Sequence, residues 1–253
     1  MTFDRRRYGK DNYLYLIAEG DDAALVDPAD PDVALELASR HGVRPRWILH
    51  THGHADHTGG SARLRAELRA AVLGHRADAE RFAPDVDVAD AVGLELGALR
   101  VRVHRAAGHT PGSVLYEWRG RLLTGDTLFW GGSGNCRHGG DPARLADTFL
   151  GTIASLGPAL EVHPGHDYAE ANLPFVLDLE PENRAAAGRL AAVRAAHAAG
   201  VEPEATELGE ERLVNPFLRA GQPEVREALR RKGRPVESPR DAFVALRLLR
   251  DAW

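Results

Sequence analysis

The sequence predicts a mixed α/β chain that ends in a helical appendage. Three observations carry that class. Strand-like runs come in meander pairs between helix signals, which favours sheets of mixed direction over a purely parallel sheet. The stretch after Tyr168 is rich in alanine and helix signals and shows no strand pattern. At 253 residues the chain is long enough to bury a real core, as one large domain or a domain with a smaller partner.

The elements follow in order. Tyr13–Ala18 (YLYLIA) and Ala23–Val26 (AALV) read as strands joined by a hairpin at Gly20-Asp21-Asp22. Asp30 and Pro31 supply the N-cap and first position of a helix that Gly42 closes. Arg46–His50 (RWILH) is a short apolar run, a buried strand, and Ser61–Ala71 reads as a helix. Leu99–His104 and Ser113–Trp118 alternate as strands, and Arg119-Gly120 turns the chain into Arg121–Thr124. Asp141-Pro142 opens another helix. Helices are then expected over Glu180–Ala199, Thr206–Val214, Gln222–Arg231 and Ser238–Asp251, the last opened by a Ser238–Asp241 capping box. The division falls at a motif-bearing region, 1–168, and a helical region, 169–253.

Composition narrows the function classes. Hydrophobic residues make up 43% and charged residues 27%, values of a folded globular chain. No run of about 18 apolar residues is present, and the N-terminus lacks the apolar stretch of a signal peptide. Cys136 is the only cysteine, which excludes an internal disulfide framework and any multi-cysteine metal site. A cytoplasmic setting is expected. The net charge of −5 argues against broad nucleic-acid binding. No membrane partner is expected, and oligomeric state is left open.

The chemistry is concentrated in the histidines. THGHADH, Thr51–His57, follows the strand Arg46–His50 and precedes a helix. His52 and His54 are two apart, so both rings point the same way in an extended segment. Asp56 and His57 follow where the chain turns. Four nitrogen and oxygen donors in six residues can supply parts of two adjacent metal shells, and the donor types suit Zn, Fe or Mn. Three more candidates each follow a predicted strand: His109 in AAGHTPGS, Asp126 in LLTGDTLF and His166 in EVHPGHDY. Spacing alone does not assign each histidine to a metal. Among the others, His50 and His104 read as structural and His197 as a helix-surface residue. His163 is a candidate outer partner of His166. His138 is a candidate for facing substrate, and Cys136 reads as a small loop residue.

THGHADH, GHTPGS, TGD and PGHDY, in this order, resemble the metallo-β-lactamase superfamily. That resemblance implies an αββα sandwich of two mixed sheets with metals at one edge. It implies one metal on His52, His54 and His109, a second on Asp56, His57 and His166, and Asp126 bridging them. A closer resemblance, over nearly the whole chain, is to the glyoxalase II (hydroxyacylglutathione hydrolase) family. It rests on Asp11-Asn12-Tyr13, TGDTLF, GHDYAEANLPF, EPEN and NPFLR, and on the helical C-terminal region. Tyr168 matches that family's substrate-contacting tyrosine, and Arg247 and Arg250 match its two basic thiol contacts. The loop Gly132–Gly139 departs from the family. It reads GSGNCRHG, with Asn135 and Arg137 where a lysine and a tyrosine are usual. Arg137 can pair bidentately with a carboxylate, which a tyrosine cannot do. The loop is therefore expected to set which thiol is read, glutathione or another small thiol.

The resemblance implies a binuclear metal-dependent thioester hydrolase, with two divalent ions, zinc above iron or manganese. A hydroxide between the metals attacks the carbonyl carbon and releases a 2-hydroxy acid such as lactate. Asp56 and Asp126 orient that nucleophile. A thiol pKa near 8.5 makes thiolate a good leaving group, so no general acid is needed. The alternative on the same fold is a mononuclear-iron persulfide dioxygenase using His52, His109 and Asp126, or another hydrolase of the superfamily. Metal count per chain discriminates. A binding protein or nuclease fits less well, because the donor set is complete and the chain is acidic.

Overall fold

A computed structural model describes all residues 1–253. The first sheet holds β1 (Thr2–Tyr8), β2 (Asn12–Glu19), β3 (Asp22–Val26), β4 (Trp47–Leu49), β5 (Ala71–Gly74) and β6 (Val86–Asp87), in that order. The first three strands run antiparallel, and the last three continue parallel to β3. The second sheet is built from β7 (Gly93–Leu96), β8 (Leu99–Arg105), β9 (Val114–Trp118) and β10 (Arg121–Gly125), which form an antiparallel meander. A small hairpin of β11 (Leu128–Phe129) and β12 (Gly132–Ser133) follows. β13 (Glu161–Pro164) then pairs parallel with β10, and β14 (Thr206–Glu207) antiparallel with β13. Both six-stranded sheets are mixed, as the meander pairs predict.

β2 shows why the sheets stack. Its side chains alternate between faces. Tyr13, Tyr15 and Ile17 join the large core between the sheets. Leu14, Leu16 and Ala18 join a smaller core under α1 (Pro31–Arg40), with Leu64 of α3 (Ser61–Leu68). Both faces are covered, so every inner position of the strand is apolar. Asp30 caps α1 by accepting from the amides of Asp32 and Val33 at 3.0 and 3.1 Å. Between them lies the one-turn helix α2 (Ala55–Thr58).

The second sheet is flanked by α4 (Pro142–Asp147) and the C-terminal helices α5 (Ala169–Leu179), α6 (Arg184–Ala198), α7 (Leu208–Val214), α8 (Pro223–Arg231) and α9 (Pro239–Ala252). Their apolar faces, among them Phe175, Phe217 and Phe243, belong to the same core as Tyr116 and Trp118. No helix is long and apolar enough to cross a membrane.

Four expectations need correction. The tail holds a strand, β14. At two residues it is too short for an alternation signal, and it exists only by pairing with the edge of β13. The helix expected from Thr206 therefore starts at Leu208. The helix expected over Ser61–Ala71 stops at Leu68, where Arg69 adopts φ 56, and Ala71 already pairs in β5. Glu180 ends one helix rather than starting the next, and α6 begins behind an Asn183 cap. β1 has no counterpart in the sequence reading.

Candidate metal centre and substrate cavity

Parallel pairing gathers the candidate ligands. β3 and β4 run together, as do β10 and β13, so loops leaving their C-terminal ends meet at one edge of the sandwich. His52 and His54 come from the loop after β4, and Asp56 and His57 from α2. His109 comes from the β8–β9 loop, Asp126 from the end of β10, and His166 from the end of β13. Gly165 makes this approach possible. A Cβ there would lie 2.4 Å from Asp126 Oδ1 and 2.7 Å from His57 Cε1.

The side chains fall into two groups. His52 Nε2 and His54 Nδ1 stand 3.1 Å apart, and His109 Nε2 lies 3.0 Å from the same His54 nitrogen. Asp126 Oδ2 lies 3.6 Å from His109 Nε2. In the second group, His57 Nε2 and His166 Nε2 are 3.1 Å apart, with Asp56 Oδ2 3.4 Å from His166 Nε2. Asp126 faces this group as well, 3.3 Å from His57 Nε2 and 3.4 Å from His166 Nε2. His52, His57, His109 and His166 are buried, His54 is half-buried and Asp56 is exposed.

The outer nitrogens are all engaged, which fixes what the inner ones can do. His109 Nδ1 donates to the Asn135 carbonyl at 2.7 Å. His166 Nδ1 donates to Asp11 Oδ1 at 2.9 Å, and His57 Nδ1 to Asp27 Oδ2 at 3.2 Å. His52 Nδ1 donates to Thr51 Oγ1 at 3.1 Å, and His54 Nε2 to the His138 carbonyl at 3.4 Å. Each inner nitrogen is left with its lone pair aimed at another lone pair. Asp126 Oδ1 is buried without a hydrogen-bond donor. Such an arrangement is unfavourable unless a cation sits among the donors. Nitrogens around a tetrahedral zinc stand roughly 3.3 Å apart, from Zn–N bonds of about 2.0–2.1 Å. The donor set fits divalent ions.

Without a cation, protons take that place. Burial works against a charged His166, but the Asp126 carboxylate outweighs it and lifts the pKa to about 10. His57 is likewise driven well above its usual value, burial being overcome by Asp126 and Asp27. Burial pushes His52 and His109 down, and neighbouring histidines add to this. Asp126 is held ionised against its burial by His57 and His166.

Beside the centre opens a cavity of about 330 Å3. Tyr168, Asn135, Arg137, Arg247 and Arg250 all line it, so the five proposed substrate contacts are brought together. The Tyr168 ring stacks on His166, 4.7 Å between centroids and 7° between planes. Asn135 reaches the centre through its carbonyl, while its side chain accepts from the Arg137 amide at 3.0 Å. Arg137 donates to the Asp251 carbonyl of α9. Arg250 spans to Asn172 Oδ1 at 3.3 Å. A larger cavity, about 850 Å3, opens between Glu180–Ala185 and α8 and gathers no metal-ligating group.

The model of the Metallo-beta-lactamase superfamily matches residues 8–168, and that of the Hydroxyacylglutathione hydrolase C-terminus matches residues 167–253. The hydroxyacylglutathione hydrolase of Anaeromyxobacter dehalogenans is 66% identical over 253 residues, covering 99% of each chain. The chain belongs to the hydroxyacylglutathione hydrolase family. That of Gloeobacter violaceus is 36% identical over 259 residues, the full length of both. Among solved structures, ETHE1 from Myxococcus xanthus shares the fold, with TM-score 0.69 and 24% identity over 100% of this chain and 99% of its own. TTHA1623, solved in a di-iron-bound form, gives 0.64 and 26% over 85% of this chain and all of its own. Membership makes the chain a metal-dependent hydrolase of the metallo-β-lactamase fold.

Three carboxylates of this family member hold roles that the sequence reading did not assign. Asp27, fully buried after β3, accepts from the Thr51 amide at 2.8 Å and its hydroxyl at 2.6 Å, besides His57. Asp78 accepts from the Gly53 amide at 2.9 Å and Thr110 Oγ1 at 2.6 Å, which ties the two histidine loops together. Asp11 orients His166. Asp27 had a signal: LVDP ends an apolar strand in a carboxylate, as TGD does for Asp126. Asp78 had none. His163 faces Phe3 and Tyr15 between the sheets, not His166. His50 is structural, its Nε2 2.5 Å from Ser61 Oγ. His104 pairs with Glu117 at 2.9 Å. His197 bonds Asp167 and Glu170 at 2.7 and 2.9 Å.

Proposed function

We propose that the chain hydrolyses the thioester of a 2-hydroxy acid and a small thiol, glutathione first, and releases the free acid. The observation that carries this is the convergence of six donor side chains into two groups that both face a seventh, Asp126, next to an arginine-lined cavity. His52, His54 and His109 would hold one ion, Asp56, His57 and His166 the other, with Asp126 shared. Zinc suits the donors best, with iron and manganese compatible. Divalent ions there supply Lewis acidity and lower the pKa of water.

The chain's own residues do the rest. Asp126 and Asp56 bring negative charge to the centre and orient the attacking water. Tyr168, packed on His166, forms the wall between the centre and the cavity. Arg137 and Arg250 offer charge-assisted hydrogen bonds to thiol carboxylates. Residues 169–253 act as the substrate-binding region, because α9 carries Arg247 and Arg250. A thiolate leaves without a proton donor, and none is required. The single cysteine fits a reducing cytoplasmic setting.

A mononuclear dioxygenase on His52, His109 and Asp126 would leave the Asp56–His57–His166 group idle, and its convergence favours the hydrolase. The test is hydrolysis of lactoyl thioesters of several thiols, with metal content measured on the same sample. Turnover with close to two ions per chain is expected. One ion per chain, unchanged on reconstitution, together with oxygen uptake on a persulfide, would overturn the reading.

A further inference from the structure

Asp56 is the one exposed donor among the seven, with 54% of its side chain open to solvent. Packing alone does not hold its carboxylate in place. Its backbone is no better tied from within. α2 ends at Thr58 after one turn, and no backbone amide reaches the Asp56 carbonyl. A helix carbonyl left in this way needs a donor from elsewhere.

The β1–β2 hairpin supplies it. Tyr8 and Asn12 face each other across its last rung, so their side chains lie on one face of the sheet. That face also carries Leu14 and Leu16 and packs under α1 and α3. The Tyr8 hydroxyl donates to the Asp56 carbonyl at 2.6 Å. Asn12 Nδ2 lies 3.3 Å from the same carbonyl and 3.3 Å from Asp56 Oδ2. The Tyr8 bond is the shorter, and its ring is half-buried against the smaller core, which fixes where the hydroxyl points. The most open donor of the centre is thus anchored most tightly by a residue 48 positions away, outside every histidine motif.

We propose that Tyr8 is a positioning residue for the Asp56–His57–His166 group, acting through the Asp56 carbonyl rather than by touching substrate or ion. This rests on the reading that this group holds a divalent ion. Without the hydroxyl, the turn of α2 loses its tie to the hairpin and takes the Asp56 carboxylate with it. His52, His54 and His109 keep their own anchors at Thr51, His138 and Asn135, so the effect is confined to one ion.

The test is Tyr8→Phe, which removes the hydroxyl and keeps the ring. Zinc affinity is measured by chelator competition without substrate, and steady-state kinetics on the lactoyl thioester of glutathione. Tyr8→Phe is expected to weaken one of the two zinc-binding steps about tenfold, the lower end for a change behind a ligand, and to leave the other unchanged. Turnover should fall when zinc is buffered low and recover when zinc is in excess, with KM unchanged. In an Asp56→Ala background, Tyr8→Phe should have no further effect on zinc affinity, because the hydroxyl acts through that residue's carboxylate. Weakening of the same size in that background would make Tyr8 a general support of the fold and overturn the proposal. Unchanged affinity at both steps would overturn it too, and so would a raised KM with zinc binding intact, which would make Tyr8 a substrate contact. If Tyr8→Phe does not fold, Tyr8→Leu gives the same readout, and unchanged zinc binding again overturns the proposal. A wild type that binds two zinc ions but cleaves no thioester would sink the hydrolase reading, while the zinc measurement would still decide the role of Tyr8. A single zinc-binding step in the wild type would overturn the proposal whatever the turnover.

Discussion

Asp126 is the carboxylate that both ligand groups face, and its Oδ1 is buried with no donor of its own. Asp126→Ala is therefore expected to lose both ions and turnover together. Metal analysis showing normal content in the variant would rule out the shared role. The two groups should also respond differently to acid. His57 and His166 hold protons to higher pH than usual because of Asp126, whereas burial keeps His52 and His109 neutral. An ion entering the Asp56–His57–His166 group must displace protons, so falling pH favours its loss. Between pH 7.5 and 6, about the range where ordinary histidine titrates, that group should empty first, and metal content should pass through a plateau near one ion per chain. Simultaneous loss of both ions would refute the difference. The candidate ligands were legible in the sequence because four of them crowd into THGHADH and His109, Asp126 and His166 each follow a strand. Asp78 was not, because a lone acid in a turn looks the same whether or not it ties two loops together.

Among the elements, those with an apolar period or a cap were legible, and those defined by a partner were not. β1 reads TFDRRRY, mostly polar and half-buried, and is a strand because it pairs with β2 along all seven residues. α9 lies at the other extreme. Ser238 accepts from the Asp241 amide at 3.1 Å, and Asp241 Oδ2 accepts from the Ser238 amide at 3.2 Å, the reciprocal box read from sequence. This cap starts the helix that delivers Arg247, Arg250 and Asp251 to the cavity. Ser238→Ala should cost about 1 kcal/mol of stability, as N-cap removals typically do. The midpoint of urea unfolding should fall with an unchanged slope. An unmoved midpoint would show that packing of Phe243 and Leu246 fixes α9 without the cap.

For the whole molecule, the joint between the two sheets carries His163, which the sequence offered as a candidate outer partner of His166. His163 of β13 packs against Phe3 and Tyr15 of the first sheet, with ring centroids 4.6 and 5.8 Å away. Burial, with Arg5 and Arg121 nearby, lowers its pKa from 6.5 to about 3. Glu161 comes within 3.3 Å of Nε2, but it is 46% exposed on its side chain and shared with Arg121, so it offsets little of this. The native state thus refuses a proton that the unfolded chain accepts. The folded pKa is the lower one, so this contribution to stability is complete above about pH 7 and shrinks as pH falls below 6.5 towards 3. Linkage puts the loss at about 2 kcal/mol by pH 5. His163→Gln does not titrate and should remove that part of the pH dependence. The measurement is the free energy of unfolding at pH 8 and pH 5, with both proteins stripped of divalent ions so that metal release adds nothing. The wild type should lose about 2 kcal/mol more than the variant between the two conditions. Equal losses would mean that the joint between the sheets admits a charged ring, and that the acid sensitivity of the fold lies elsewhere.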